Sequence, residues 1–318
     1  MLPNNEKQST RNCPLCDTNQ ISHYWAVNHL PKKKWIYWCS HCGYGWQHPM
    51  PAPEEINVNI QNYPSTMLQN AEEKEAGFQN RLKLLQKISP HRGNILDIGS
   101  GLGHFLKLAH DQGWTVSGVE PQKSAVKACY EQFGIQCHAG FVTDLVLQPE
   151  SFDVITLWDV LEHVNNPIEL LKKCVSLIRP GGIFAFAIPN ASGFPARIFK
   201  GNWRYVMETH LSYFTLPFIQ HALSENGLEI LQMIHTIKAQ SILQGFTAFL
   251  PWNVEIGKVI RIGCENDIEN KPLFQRRTSR KPIFKTLNTI RELVHKLNMT
   301  PIYIPLGDMV DIYCKKIS

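Results

Sequence analysis

The tightest constraint on this 318-residue chain is one short stretch, Asp97-Ile-Gly99-Ser100-Gly101-Leu-Gly103, lodged between an apolar run and an amphipathic one. Its glycines let the backbone turn sharply and leave the main-chain amides uncovered, and the N-terminus of the following helix adds partial positive charge. Something negative or nucleotide-like is expected to bind there. The dinucleotide pattern G-x-G-x-x-G is not met, because the third glycine arrives one position early and Asp97 stands two residues ahead of the loop. A carboxylate at that place repels a pyrophosphate and welcomes an ammonium group.

Around the loop, strand-like and helical stretches alternate. Strands are predicted over 95–98, 115–119, 135–138, 152–158 and 182–188, and helices over 104–112, 123–133 and 167–178. That rhythm predicts a doubly wound α/β domain whose helices cover both faces of a largely parallel sheet and whose ligands bind at the strands' carboxyl ends. Upstream, Phe78, Leu82 and Leu85 recur at helical spacing within 67–88, and Pro90 closes the helix. Further strands are predicted over 228–237 and 309–315.

With 43% apolar and 19% charged residues, the chain buries a substantial core, which excludes disorder, collagen and coiled coil as its main architecture. No run approaches the ~18 apolar residues needed to span a bilayer. The first residues, MLPNNEKQST, lack the apolar centre of a secretory signal, so a cytoplasmic location is expected. Charge is uneven. Residues 1–52 carry five basic and two acidic groups, residues 271–318 ten and three, and the intervening body is net acidic.

Nine cysteines include two C-x-x-C pairs, Cys13 with Cys16 and Cys39 with Cys42, at a spacing that fits a four-thiolate structural zinc site with no open position. Between the pairs, Trp25, Trp35, Tyr37 and Trp38 suit the strands of a ribbon too small to fold without its metal. A thioredoxin-like redox pair is the weaker alternative. Cys129, Cys137, Cys174, Cys264 and Cys314 are expected to be packing residues.

Glu120 ends the second strand of the α/β pattern. Together with the loop Asp97–Gly103, the segment from Phe152 through Trp158, Asp159, Glu162 and His163, and the turn Leu177-Ile-Arg-Pro-Gly-Gly, it resembles the class I S-adenosylmethionine-dependent methyltransferases. The resemblance covers about residues 65–238 and the final strand. It implies a Rossmann-like, seven-stranded, mostly parallel sheet whose last strand is antiparallel. It also implies that Asp97, Gly99, Ser100, Gly101 and Gly103 pack beside the amino-acid part of S-adenosylmethionine, and that Glu120, with Pro121 next to it, takes the ribose hydroxyls. Phe141 and Val142 are placed by the adenine, and Trp158 and Asp159 flank the cofactor. A carboxylate can accept two diol hydrogen bonds, in agreement with the role of Glu120.

Methyl transfer from a sulfonium needs alignment, and a base when the nucleophile is a hydroxyl or a C–H. His163 follows the fourth strand of the pattern. A second cluster, Tyr205, Glu208, His210 and Tyr213, resembles the Y-x-x-E-H segment of zinc-containing sugar C-methyltransferases, with Thr209 inserted between the acid and the histidine. His210, His163, Glu208 and Tyr205 are therefore the catalytic candidates, and Tyr63 is a candidate lid aromatic.

The expected organisation is a zinc ribbon over 1–52, a linker over 53–66, a catalytic core over 67–238, a helical insert or lid over 239–307, and a final strand over 308–318. The insert could contact a membrane surface through its basic, amphipathic part. The expected activity is methyl transfer to a small-molecule acceptor, such as a sugar or another biosynthetic intermediate. Alternatives are a nucleic-acid methyltransferase whose ribbon stacks RNA bases near 32–38, and a non-catalytic scaffold.

Overall fold

Two sheets organise the computed structural model, one around the thiols and one around the glycine loop. Residues 12–27, 29–30, 33–61, 71–89, 91–237, 302–303 and 307–317 are described. Three antiparallel strands, β1 (Ile21–Val27), β2 (Lys34–Cys39) and β3 (Tyr44–His48), form the ribbon. Helices α1 (Pro53–Gln61) and α2 (Ala71–Ile88) follow. The expected linker thus contains a helix. Its last residue is tied to the body, since Gln61 Nε2 donates to the Pro121 carbonyl at 2.7 Å and Gln122 Nε2 donates to the Gln61 carbonyl at 3.2 Å.

The body runs β4 (Asn94–Ile98), α3 (His104–Asp111), β5 (Thr115–Glu120), α4 (Lys123–Phe133), β6 (Cys137–Ala139), β7 (Phe152–Trp158), α5 (Pro167–Leu177) and β8 (Ile178–Pro189). It then continues through α6 (Phe194–Phe199), β9 (Ser212–Phe214), α7 (Leu216–Glu225), β10 (Leu228–Ile237), β11 (Ile302–Tyr303) and β12 (Met309–Lys316). The large sheet has the order β11-β10-β12-β8-β7-β4-β5-β6. β8, β7, β4, β5 and β6 are parallel neighbours, and β12 runs antiparallel between β8 and β10. The expected seven strands are present, with β11 added as a two-residue edge.

Local chemistry explains several boundaries. Asn166 caps α5 by accepting from the Glu169 N–H at 3.2 Å, and Pro167 stands in the first turn where its missing N–H costs nothing. Gly134, at φ 69°, ends α4 in the left-handed conformation. β7 and the second half of β8 are buried on both faces, as central parallel strands are, and Phe184, Phe186, Ile155 and Leu157 fill the space beneath the helices. Each such fully buried side chain contributes roughly 1.5–3 kcal/mol.

The ribbon is not a separate bead. β3 pairs with β9 of the body, so the small sheet has the order β1-β2-β3-β9. Trp25 and Trp38 pack with Trp203 and Tyr213 in one apolar cluster. Two of the ribbon aromatics that RNA stacking would use, Tyr37 and Trp38, are buried, while Trp35 is half-buried. Residues 239–301 of the expected insert 239–307, with Cys264, and the candidate lid residue Tyr63 lie outside the described residues. No helix among those described is long and apolar enough to cross a membrane.

Candidate active site

The chain switches direction at β4, whose neighbours are β5 on one side and β7 on the other. In a parallel sheet this opens a crevice at the carboxyl ends, and the loops after β4, β5 and β7 rim it. Gly99, Gly101 and Gly103 all have positive φ, at 74°, 52° and 80°. A Cβ on Gly99 would strike the side chain of Val160, and one on Gly103 would strike the Cys129 sulfur. The loop therefore owes its glycines to both backbone angle and close packing, and Gly103 leads directly into α3.

Glu120 closes the loop from the next strand. Its Oε2 accepts from the Gly101 N–H and its Oε1 from the Gln122 N–H, each at 2.9 Å. Burial pushes its pKa up, and the two N–H groups pull against that shift. Asp97, buried beneath the loop, accepts from the Thr156 hydroxyl at 2.7 Å. Burial raises its pKa to about 8, more than that hydroxyl offsets. A carboxyl held near neutrality is primed to ionise when a cation arrives. Ser100 is buried and donates towards the Cys137 sulfur, Pro121 is half-buried, Val142 is buried, and Phe141 is 37% exposed.

Trp158, at the end of β7, is buried beneath the Arg81 guanidinium, whose carbon lies 4.6 Å from the ring centroid. Arg81 is held by a bidentate pair with Asp311, both bonds 2.8 Å. Asp159 is exposed and takes φ 59°, a conformation that non-glycine residues adopt rarely.

The next residues turn into a short 3-10 helix, Leu161–His163. There the structure brings together what the sequence keeps far apart. His163 and His210 meet edge to face with centroids 4.7 Å apart, and Tyr205 stacks on His210 at 6.3 Å. Burial lowers the pKa of both histidines. For His210 the neighbouring His163 lowers it further, while the Thr209 carbonyl partly opposes the shift at His163. Burial also holds the Tyr205 phenol well above its usual value. Glu208 is exposed. The carboxylate that joins the histidines is Glu162, buried and raised in pKa by burial and by the charge of Asp159. Sequence reasoning read Glu162 only as part of a motif; its adjacency to His163 was the available signal.

The ribbon holds this cluster. The Leu211 N–H donates to the Glu162 carbonyl at 2.7 Å, and the Gln47 N–H donates to the Leu211 carbonyl at 2.9 Å. Ser212 Oγ donates to the Val164 carbonyl at 2.7 Å and lies 2.6 Å from the Tyr44 hydroxyl. In the same ribbon, Cys13, Cys16, Cys39 and Cys42 place four sulfurs within 4.8 Å of one another, with Cys13–Cys42 at 3.7 Å and Cys16–Cys39 at 3.6 Å. A tetrahedron of ~2.3 Å metal–sulfur bonds has edges of about 3.8 Å, so the set fits one zinc ion.

Comparison with known proteins agrees with this geometry. A family model described as a methyltransferase domain matches residues 69–233. A ubiquinone biosynthesis O-methyltransferase of Coxiella burnetii is 31% identical over 116 residues, 35% of this chain and 50% of that protein. One of Vibrio cholerae is 24% identical over 170 residues, 42% of this chain and 67% of its own length. The chain thus spans about half the length of the first of these curated relatives. Among solved structures, a SAM-dependent methyltransferase of Thermotoga maritima, described as a possible histamine N-methyltransferase, has a TM-score of 0.52 at 17% identity, covering 82% of this chain and 99% of that one. Phosphoethanolamine N-methyltransferase 2 of Haemonchus contortus has a TM-score of 0.53 at 14% identity, covering 92% and 71%. These two likenesses concern the fold.

Proposed function

The chain belongs to the methyltransferase-domain family, the class I S-adenosylmethionine-dependent enzymes, and from that premise we propose that it methylates a hydroxyl of a small-molecule acceptor. A sugar or another biosynthetic intermediate is the acceptor class this reading favours, and the O-methyltransferase names of its relatives support oxygen as the nucleophile. The observation that carries the reading is the Glu120 carboxylate fixed by two backbone N–H groups at the mouth of the glycine loop.

S-adenosylmethionine would supply a methyl group on a sulfonium whose leaving group departs neutral. Glu120 would accept both ribose hydroxyls, Asp97 and the amides of 99–103 would take the amino-acid end, and Val142 with Phe141 would border the adenine. Trp158 and Asp159 would flank the cofactor. On the acceptor side, His163, His210 and Glu162 would assist removal of the hydroxyl proton, with Tyr205 fixing the His210 ring. The four-cysteine cluster would hold a structural zinc ion and contribute no open position to the chemistry.

Calorimetry with S-adenosylmethionine, followed by transfer of a labelled methyl group to a panel of nucleotide sugars and phenolic intermediates, tests this. Micromolar cofactor binding with label appearing on one acceptor is expected. A folded, zinc-loaded protein that ignores the cofactor at millimolar concentration ends the proposal.

A further inference from the structure

The group Glu162, His163 and His210 holds more coordinating power than a single proton removal uses. We infer that these three side chains form a divalent-cation site of two imidazoles and one carboxylate. This rests on the reading of the same cluster as the acceptor side and deepens it.

One ligand atom from each residue lies within 4.8 Å of the other two. The rings are oriented as ligands are. His163 Nδ1 lies 2.9 Å from the Thr209 carbonyl, which fixes the proton on that nitrogen and leaves Nε2 a lone pair. His210 Nδ1 has no partner. Thus His163 is tied to a backbone carbonyl and offers Nε2, and His210 offers its unpartnered Nδ1.

The second observation is independent of that orientation. Glu162 is 2% exposed and its Oε2 has no partner, and the unpartnered Nδ1 belongs to a His210 that is 5% exposed. Leaving such a buried atom unsatisfied costs about 1–3 kcal/mol, more for a charged group. One cation satisfies both. Arg81, which acts on Glu162 electrostatically, is already engaged by the Asp311 carboxylate. The ligands also sit on two pieces of chain joined by the bond from the Leu211 N–H to the Glu162 carbonyl, so little ordering remains to be done on binding.

Two imidazoles with one carboxylate suit zinc or ferrous iron better than magnesium or calcium, and three protein ligands leave positions free. An acceptor hydroxyl oxygen filling one of them becomes more acidic. Its O–H bond breaks with the proton passing to solvent water, and its lone pair forms the O–CH3 bond as the S–CH3 bond breaks and its electron pair returns to sulfur.

Cobalt(II) titration of the metal-free full chain tests the site. The ribbon thiolates should give an intense near-ultraviolet charge-transfer band, and the second site only weak visible ligand-field bands. Glu162→Gln and His210→Asn should each weaken the second binding event by more than the ~10–100-fold typical of losing an outer-shell partner. The charge-transfer band, which also reports an intact fold, should persist in both. Absence of the weak visible bands in the unaltered protein, or their survival at full affinity in both variants, overturns the site. Methyl transfer at full rate after a chelator has removed the second ion also overturns it, and leaves the transfer reading standing. Two bound ions in a protein that ignores S-adenosylmethionine would support the cation site and sink the transfer reading.

Discussion

The two walls of the crevice are made of different materials. The wall we assign to the cofactor is main chain: the amides of 99–103, shaped by positive φ and braced by one carboxylate from the neighbouring strand. The wall we propose for the acceptor is side chain, assembled from Glu162, His163, Tyr205 and His210 and clamped from outside by the ribbon. Backbone recognition suits a ligand that never changes, whereas side chains can be exchanged to fit a new acceptor without disturbing the first wall.

If the walls are separable, His210→Ala has the largest effect. Turnover should fall about 10²–10⁴-fold, the usual worth of acid–base assistance, while calorimetric cofactor affinity stays the same. A parallel loss of affinity would join what this division separates. Glu120→Ala is next. It removes the charged acceptor of two N–H groups as well as the proposed ribose contact, and cofactor affinity should drop by about 10–100-fold, with Glu120→Gln intermediate.

Chelation of the zinc ion proposed for the ribbon sharpens the contrast further. Followed by tryptophan fluorescence, the ribbon should loosen first. Turnover should fall before cofactor affinity does, because Gln47 and Tyr44 brace only the acceptor wall. A protein indifferent to the chelator contradicts the four-thiolate site.

Asp97 gives a pH signature on the cofactor wall. Its folded pKa of about 8 lies above the ordinary 3.8, so the folded state binds the extra proton and stability falls as pH rises between those values. Asp97→Asn should flatten that slope and raise the unfolding free energy at pH 8 by on the order of 1–3 kcal/mol, read from denaturant titrations. Phe141→Ala should have the smallest effect on stability, about 1 kcal/mol or less, because Phe141 is 37% exposed and packs in none of the apolar core clusters. A severalfold loss of cofactor affinity, measured by calorimetry, would place the ring against the adenine.

The same division governs what the sequence could disclose. α4, β7 and β10 stand where periodicity puts them, and the glycine loop announces its own geometry, because all of these depend on residues close in the chain. β8 begins earlier than its apolar run, at Ile178, since Ile178 pairs with Phe152 of β7 and the ladder resumes at Ile183 beyond an irregularity at Arg179-Pro-Gly-Gly. The partnership of Glu162 with His210 was invisible because it depends on two loops meeting, and the choice of Glu208 followed spacing that Thr209 rotates into solvent. The annexation of β9 by the ribbon was equally hidden. A three-residue strand has too little alternation to be read, and its pairing partner is more than 160 positions away.

That annexation sets a limit on where the polypeptide can be divided. Stripped of its first fifty residues, the remainder would bare the hydrogen-bonding edge of Ser212–Phe214 together with the rings of Trp203, Tyr213 and Phe214, a sticky seam that invites self-association. What looks like an accessory module is the missing half of a shared sheet, so any attempt to trim this enzyme down to its transferase body has to supply a replacement strand.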